Sequence, residues 1–107
     1  MLQNKIIAVD FDGCIVTDRY PEIGDPILQT IYELKKEIET GAKLILWTCR
    51  SNARLDAAVE WCANNGIHFD AVNSNLPEAE DFYGGKTVKV YAHEYWDDRA
   101  KKMPPGR

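Results

Sequence analysis

The sequence lacks paired cysteines and long apolar runs, and each of these absences excludes a class of protein. Its three cysteines include no CxxC pair and one must be left over, so a disulfide framework is not expected. Its longest early apolar run, residues 6–9, is followed by an acid and is far too short for a membrane span or a signal-peptide core. We therefore expect a cytoplasmic protein with reduced thiols and no membrane partner.

Positive charge is also scarce. Thirteen Lys and Arg stand against seventeen Asp and Glu, which gives a net charge of −4. An acidic protein is a poor candidate for general nucleic-acid or membrane-surface binding. With 45% hydrophobic and 28% charged residues, the composition is that of a globular protein. The length predicts one domain over residues 1–107, with a basic, Pro- and Gly-containing tail at 101–107 that is typical of a disordered end.

Short apolar runs predict the strands of a sheet. Residues 5–9 and 43–47 are continuous and rich in branched side chains, which suits strands that are buried on both faces. A third strand is expected over 67–72 and a fourth within 88–96. The intervening residues 73–86 are polar and contain Gly and Pro, so we interpret them mainly as loop.

Two amphipathic segments between these strands predict helices. Asp25 followed by Pro26 indicates an N-cap and a first helical residue, and Gly41 indicates the end of that helix. Asn52 is the expected N-cap of a second helix, which Gly66 would end. Alternation of strands and helices predicts an α/β fold with a mainly parallel sheet, in which ligands bind beyond the carboxyl ends of the strands.

Polar side chains follow three of the predicted strands at this edge. They are Asp10 and Asp12 after the first strand, Thr48 and Arg50 after the second, and Asp97 and Asp98 after the last. Four carboxylates at one edge repel one another unless a divalent cation neutralises them. Because all of these ligands are oxygens and they are few, they favour Mg²⁺. Such a site is equipped to receive a phosphoryl group.

These residues resemble the four motifs of the haloacid dehalogenase-like (HAD) phosphatases. The matching segments are VDFDGCIV at 9–16, LILWTCR at 44–50, Lys89, and YWDDRA at 95–100. They occur in the order of the family and extend over most of the chain. The resemblance implies a Rossmann-like three-layer α/β/α fold and a Mg²⁺-dependent phosphatase that acts through an aspartyl-phosphate.

The resemblance also implies a role for each matching residue. Asp10 would be the nucleophile, and Asp12 would protonate the leaving oxygen and then activate the hydrolytic water. Thr48 would donate its hydroxyl to the phosphoryl oxygens. Lys89 would offset the charge of those oxygens, although Lys86, three residues upstream, is an alternative.

Metal and further phosphate ligands complete the predicted site. Mg²⁺ would be held by the Asp10 carboxylate, the Asp12 backbone carbonyl and the pair Asp97 and Asp98, and which acid of that pair contacts the metal stays open. Arg50 can bind phosphate through two parallel hydrogen bonds. A Thr/Ser-x-Arg arrangement similar to Thr48-x-Arg50 occurs in the phosphatase domains of polynucleotide kinase-phosphatases.

The spacing of the motifs leaves no room for a cap domain. The 35 residues between Asp12 and Thr48 and the 48 residues between Thr48 and Asp97 are used by the predicted elements. An open site suits a phosphorylated small molecule or an exposed phosphate on a macromolecule. About ten residues follow the two acids, fewer than the usual final strand and helix of the family need, and this favours self-association.

Three other functions fit parts of the pattern. A non-catalytic module of the same fold would bind Mg²⁺ or phosphate, or serve regulation. A nucleic-acid 3′-phosphatase would need an electropositive groove beside Arg50, which the net charge disfavours. A receiver domain also uses Asp, Thr and Lys at strand ends, but its phosphorylated Asp follows a middle strand, where this chain has Trp47-Thr48-Cys49-Arg50.

Overall fold

A computed structural model describes residues 4–82, 84 and 90–97 of the chain. The strands are β1 (Ile6–Val9), β2 (Lys43–Leu46), β3 (Ala71–Val72) and β4 (Glu94–Trp96), and the helices are α1 (Leu28–Glu39), α2 (Asn52–Asn64) and α3 (Pro77–Phe82). The strands form one sheet in the order β3-β2-β1-β4, and each pairing is parallel. The predicted compact α/β fold is thereby confirmed, and the described residues contain no cap domain.

The sheet is covered by apolar side chains on both faces. Consecutive residues of a strand point to opposite faces, so Ile7 and Val9 pack with Leu34 of α1 and Ala58 of α2 in one buried cluster. A second cluster comprises Ile6, Ala8, Ile45, Leu76, Val90 and Ala92. Because both faces of β1 and β2 are buried, their sequences are continuous apolar runs rather than alternating ones.

The strand order places a crevice beside the end of β1. The chain moves outward from β1 to β2 and β3, and both α1 and α2 contribute to the same buried cluster. It then returns to the other side of β1 to form β4. The strand order therefore reverses at β1, and ligands of open α/β sheets bind at such a reversal, beyond the carboxyl ends of the strands.

The predicted helix ends are confirmed at the glycines, but the predicted starts are not. Gly41 and Gly66 follow α1 and α2 with φ of +94° and +80°, a left-handed conformation that glycine adopts readily. Asp25 does not cap α1, which begins at Leu28 because the preceding segment pairs with residues 15–17. In α2 the N-cap is Ser51, and Asn52 is the first helical residue.

The segment after β2 differs from the prediction in two places. The third strand contains only Ala71–Val72 instead of residues 67–72, although Ile67 is fully buried. The predicted loop contains the short helix α3. Leu76 and Ala79 are buried there, so tertiary packing stabilises a helix too short to be stable alone. No helix in the described part of the chain is long and apolar enough to cross a membrane.

Candidate active site

The turn after β1 fixes the first two acids of the predicted site. The backbone N–H of Asp10 donates to the carbonyl of Trp96 at 2.9 Å, which continues the pairing of β1 with β4. The Asp10 carboxylate accepts the N–H of Phe11 at 2.8 Å. Gly13, at φ of +84°, permits the tight turn that follows Asp12. Asp10 is therefore held by hydrogen bonds to the backbone at the end of a buried strand, and Asp12 follows it at the start of the turn.

Thr48 lies at the end of the neighbouring strand and is held from two sides. Its backbone N–H donates to the side-chain oxygen of Asn73 at 2.8 Å. Its hydroxyl oxygen accepts the N–H of Arg50 at 3.2 Å. Because that hydroxyl accepts from the backbone, its own proton points elsewhere and is suited to donation to an oxygen ligand.

Asn73 is a site residue that the sequence analysis did not identify. It follows β3 with φ of 53°, a left-handed conformation that Asn tolerates. Its N–H donates to the carbonyl of Leu46 at 2.7 Å. Its place directly after a strand is the signal in the sequence, although the polar segment 73–86 as a whole predicts a loop. Asn73 completes the row of polar residues at the carboxyl ends of the sheet.

Arg50 is buried and directed at Asp12. Its Nε and Nη2 donate to the two carboxylate oxygens of Asp12 at 2.8 and 2.7 Å. Its remaining bonds go to the backbone carbonyls of Pro21 (3.3 Å), Glu22 (2.9 Å) and Arg54 (3.5 Å). The hydrogen bonds that the guanidinium donates to Asp12 raise the pKa of Arg50 above its ordinary value, although burial opposes the shift.

These five hydrogen bonds match the five N–H donors of a guanidinium. A substrate phosphate could bind Arg50 only by displacing one of its protein acceptors. The phosphate-binding role of Arg50 stays a prediction, and the geometry favours a role in holding Asp12. The 3′-phosphatase alternative, which uses Arg50 for phosphate, gains no support from this arrangement.

Two adjoining depressions open at this edge of the sheet. One has a volume of about 470 Å³ and is lined by Asp10, Asp12, Asp18, Tyr20, Thr48, Cys49, Arg50 and Asp97. The other has a volume of about 410 Å³ and is lined by Asp10, Trp47, Thr48, Cys49, Asn73 and Asp97. Asp10, Thr48 and Asp97 line both, so the predicted nucleophile lies where the two depressions meet.

Three predicted site residues lie outside the described residues. Asp98, Lys89 and its alternative Lys86 are in segments that the structure does not describe. The same holds for the tail, residues 101–107. Their predicted roles therefore stay predictions. Of the pair after β4, the structure describes Asp97, which is exposed and lines both depressions.

The oxygen donors of this edge fit a Mg²⁺ ion. Among the described residues, no group of three or more His, Cys, Asp or Glu side chains is placed to hold a metal ion. Mg²⁺ does not require one, because it commonly binds through one or two carboxylates, water and substrate phosphate. Asp10 and Asp97 line the same depression and supply that number of carboxylates, so the donor set suits the ion.

Comparisons with known proteins identify a relative without assigning an activity. No model of a known protein family matches the chain, and no curated protein matches it. A solved structure described as a conserved protein coded by a locus from Bacteroides thetaiotaomicron is similar, with 40% sequence identity and a TM-score of 0.82. The match covers 97% of this chain and 84% of that chain.

Proposed function

The chain belongs to the same family as the conserved Bacteroides thetaiotaomicron protein, and we propose that it is a Mg²⁺-dependent phosphatase acting through an aspartyl-phosphate. The description of that relative names no activity, so the site alone supports the proposal. One observation carries it: Asp10, Asp12, Thr48 and Asp97 line one open depression at the carboxyl ends of three parallel strands.

In the first step, a carboxylate oxygen of Asp10 attacks the phosphorus of a phosphate monoester. The bond from phosphorus to the leaving oxygen breaks, and Asp12, in its protonated form, gives that oxygen a proton. The Thr48 hydroxyl donates a hydrogen bond to a phosphoryl oxygen. Donors placed where charge develops in the transition state lower the barrier.

In the second step, water attacks the phosphorus of the aspartyl-phosphate. Asp12 now accepts a proton from that water, and the bond between phosphorus and the Asp10 oxygen breaks to release phosphate. One residue therefore serves first as acid and then as base. Mg²⁺, when held by Asp10 and Asp97, with Asp98 as the resemblance implies, would neutralise the charge of the phosphoryl group.

The absence of a cap from the described residues bears on the substrate. Both depressions are open, and no described element covers them. A small phosphorylated molecule can enter, and so can a phosphate that protrudes from a macromolecule. The proposed reaction is therefore the hydrolysis of a phosphate monoester that belongs to one of these two classes.

Hydrolysis of p-nitrophenyl phosphate by the purified protein tests this function. We expect turnover with MgCl₂ and none with EDTA. Asp10→Asn should lose at least about 10³-fold in kcat, because it removes the nucleophile. Asp56→Asn, the same change at an exposed position on α2, is the matched control and should retain full activity. When the reaction is quenched with acid during turnover, mass spectrometry should detect the added mass of one phosphoryl group on the wild-type chain and not on Asp10→Asn.

Two results would count against the phosphatase. Turnover that survives Asp10→Asn would indicate another nucleophile. Failure of the wild type to hydrolyse aryl, alkyl and acyl phosphates with Mg²⁺ would favour the non-catalytic module that binds Mg²⁺ or phosphate.

A further inference from the structure

We propose that Arg50 is a positioning residue that orients the Asp12 carboxylate for proton transfer. It also connects this carboxylate to the loop of residues 14–24. This inference rests on the proposed phosphatase function, since it assigns a role within the same reaction. It starts from an ion pair between two residues 38 positions apart. The Arg50 side chain is 1% exposed and the Asp12 side chain 16% exposed.

The orientation of the guanidinium is determined by groups on several sides. Its centre lies 5.1 Å from the ring centroid of Phe11 and 5.1 Å from that of Tyr20. Its Nη1 and Nη2 donate to the carbonyls of Pro21 and Glu22. Residues 14–24, which we name the flap, therefore hold Arg50 through two carbonyls and one aromatic ring.

The guanidinium in turn determines the orientation of Asp12. Two parallel N–H···O bonds fix the plane of a carboxylate as well as its position. Each Asp12 oxygen accepts one N–H of Arg50, and a carboxylate oxygen has a second lone pair. A carboxyl held in this way can still exchange a proton with the leaving oxygen or with water. The flap, Arg50 and Asp12 thus form one hydrogen-bonded unit.

Orientation matters because Asp12 must reach two oxygens in succession. Proton transfer by a positioned side chain contributes about 10²–10⁴-fold to a rate. A displacement of about 1 Å can cost about 10²-fold. Lysine cannot replace this function, since its ammonium lacks the planar pair of donors. Loss of the pair should therefore impair proton transfer, even though Asp12 and Asp10 are still present.

Substrates whose leaving groups differ in their need for a proton can distinguish a positioning role of Arg50 from a phosphate-binding role and from a purely structural role. p-Nitrophenolate departs readily without a proton, whereas phenolate and alkoxides need one. A residue that positions the acid should therefore matter more for phenyl phosphate and for an alkyl phosphate than for p-nitrophenyl phosphate. A phosphate-binding arginine or a purely structural one would affect all three substrates equally.

The experiment measures kcat/KM for the three substrates with wild type, Arg50→Lys and Arg50→Ala. This ratio reports the steps up to departure of the leaving group, so the hydrolysis of the intermediate does not mask the effect. We expect Arg50→Lys to lose no more than about tenfold on p-nitrophenyl phosphate and about 10²-fold or more on the other two substrates. Arg50→Ala should also lose more kcat/KM on phenyl phosphate and the alkyl phosphate than on p-nitrophenyl phosphate.

Lys43→Ala is the control, because Lys43 forms a partly exposed ion pair with Asp70 at 3.9 Å and begins β2 at the end away from the site. It should leave all three ratios unchanged. Thermal unfolding of each variant reports whether it folds, and Arg50→Lys decides the question if Arg50→Ala does not fold.

Each alternative outcome is distinguishable. Equal losses on all three substrates in a folded Arg50→Lys protein overturn the positioning role and leave the phosphatase standing. If neither Arg50 variant folds, the role of Arg50 is structural, and the positioning role is overturned as well. A wild type without activity overturns the proposed function, and this inference with it.

Discussion

At the scale of single residues, two of the three cysteines show how the surroundings of a thiol determine its reactivity. Cys62 lies in the core against α1 and the sheet, and burial raises the pKa of its thiol to about 12. Only the thiolate is a good nucleophile, so Cys62 is protected by both pKa and access. Cys49 is exposed and lines both depressions of the site.

We expect thiol reagents to distinguish these two residues. At pH 8 iodoacetamide should label Cys49 within minutes and Cys62 only after unfolding, because the pH lies well below the pKa of the Cys62 thiol. Labelling of Cys49 should also inhibit phosphate hydrolysis, since the adduct would occupy the depression beside Asp10. Peptide mass spectrometry measures the labelling, and Cys49→Ser provides a variant that should resist inhibition. Rapid native labelling of Cys62 would contradict this account.

At the scale of elements, the join between β1 and β4 depends on a histidine. The backbone N–H of His93 donates to the carbonyl of Ile6 at 2.8 Å. Its side-chain Nδ1 accepts the N–H of Ile6 at 2.8 Å, in the place where a strand carbonyl would otherwise serve. Ile6 is 1% exposed, whereas His93 is exposed, so the bond is partly buried.

His93→Ala should therefore lower the free energy of unfolding by about 0.5–1.5 kcal/mol, the net contribution of a typical hydrogen bond, because water can partly take the place of the exposed imidazole. His93→Asn should recover part of the loss, because its side-chain oxygen can accept the same N–H. Denaturant unfolding measures the change. His68→Ala is the matched control, since His68 is exposed as His93 is but follows α2 rather than pairing with β1, and it should be close to neutral. Equal stability of all three variants would show that the bond to Ile6 contributes nothing.

Some of the strands and helices could be predicted from the sequence, and others could not. Buried parallel strands are continuous apolar runs, so β1 and β2 were located within a residue, and the acids after β1 followed from that. Helix α3 was missed because its stability comes from the burial of Leu76 and Ala79, which is a tertiary effect. The start of α1 was misplaced because Asp25 takes part in backbone pairing with residue 17.

The site was predictable to the extent that strand ends determine it. Asp10, Thr48 and Asp97 meet because parallel strands place their carboxyl ends at one edge. Arg50 also lies there, but the spacing between Thr48 and Arg50 does not show that the flap returns over this side chain. Its bonds to Pro21 and Glu22 depend on the path of a loop, and loop paths are the part of a fold that periodicity does not describe.

At the scale of the whole molecule, the carboxylates at this edge connect metal binding with stability. The chain carries a net charge of −4, and Asp10, Asp12 and Asp97 line one depression. Like charges at one site oppose folding unless they are neutralised. Arg50 neutralises Asp12, and the carboxylates of Asp10 and Asp97 line the same depression, where they could serve as oxygen ligands of a cation. Any ion that binds the folded chain alone stabilises it by mass action.

We therefore expect Mg²⁺ to raise the melting temperature independently of turnover. At a concentration about ten times Kd, the free energy of unfolding should rise by about 1.4 kcal/mol, which corresponds to roughly 5–10 °C for a domain of this size. Asp97→Asn should reduce this response, whereas Asp56→Asn should keep it. Thermal unfolding in MgCl₂ and in NaCl of equal ionic strength separates binding from screening. An equal shift in both salts, or an undiminished response in Asp97→Asn, would mean that this edge does not hold the ion.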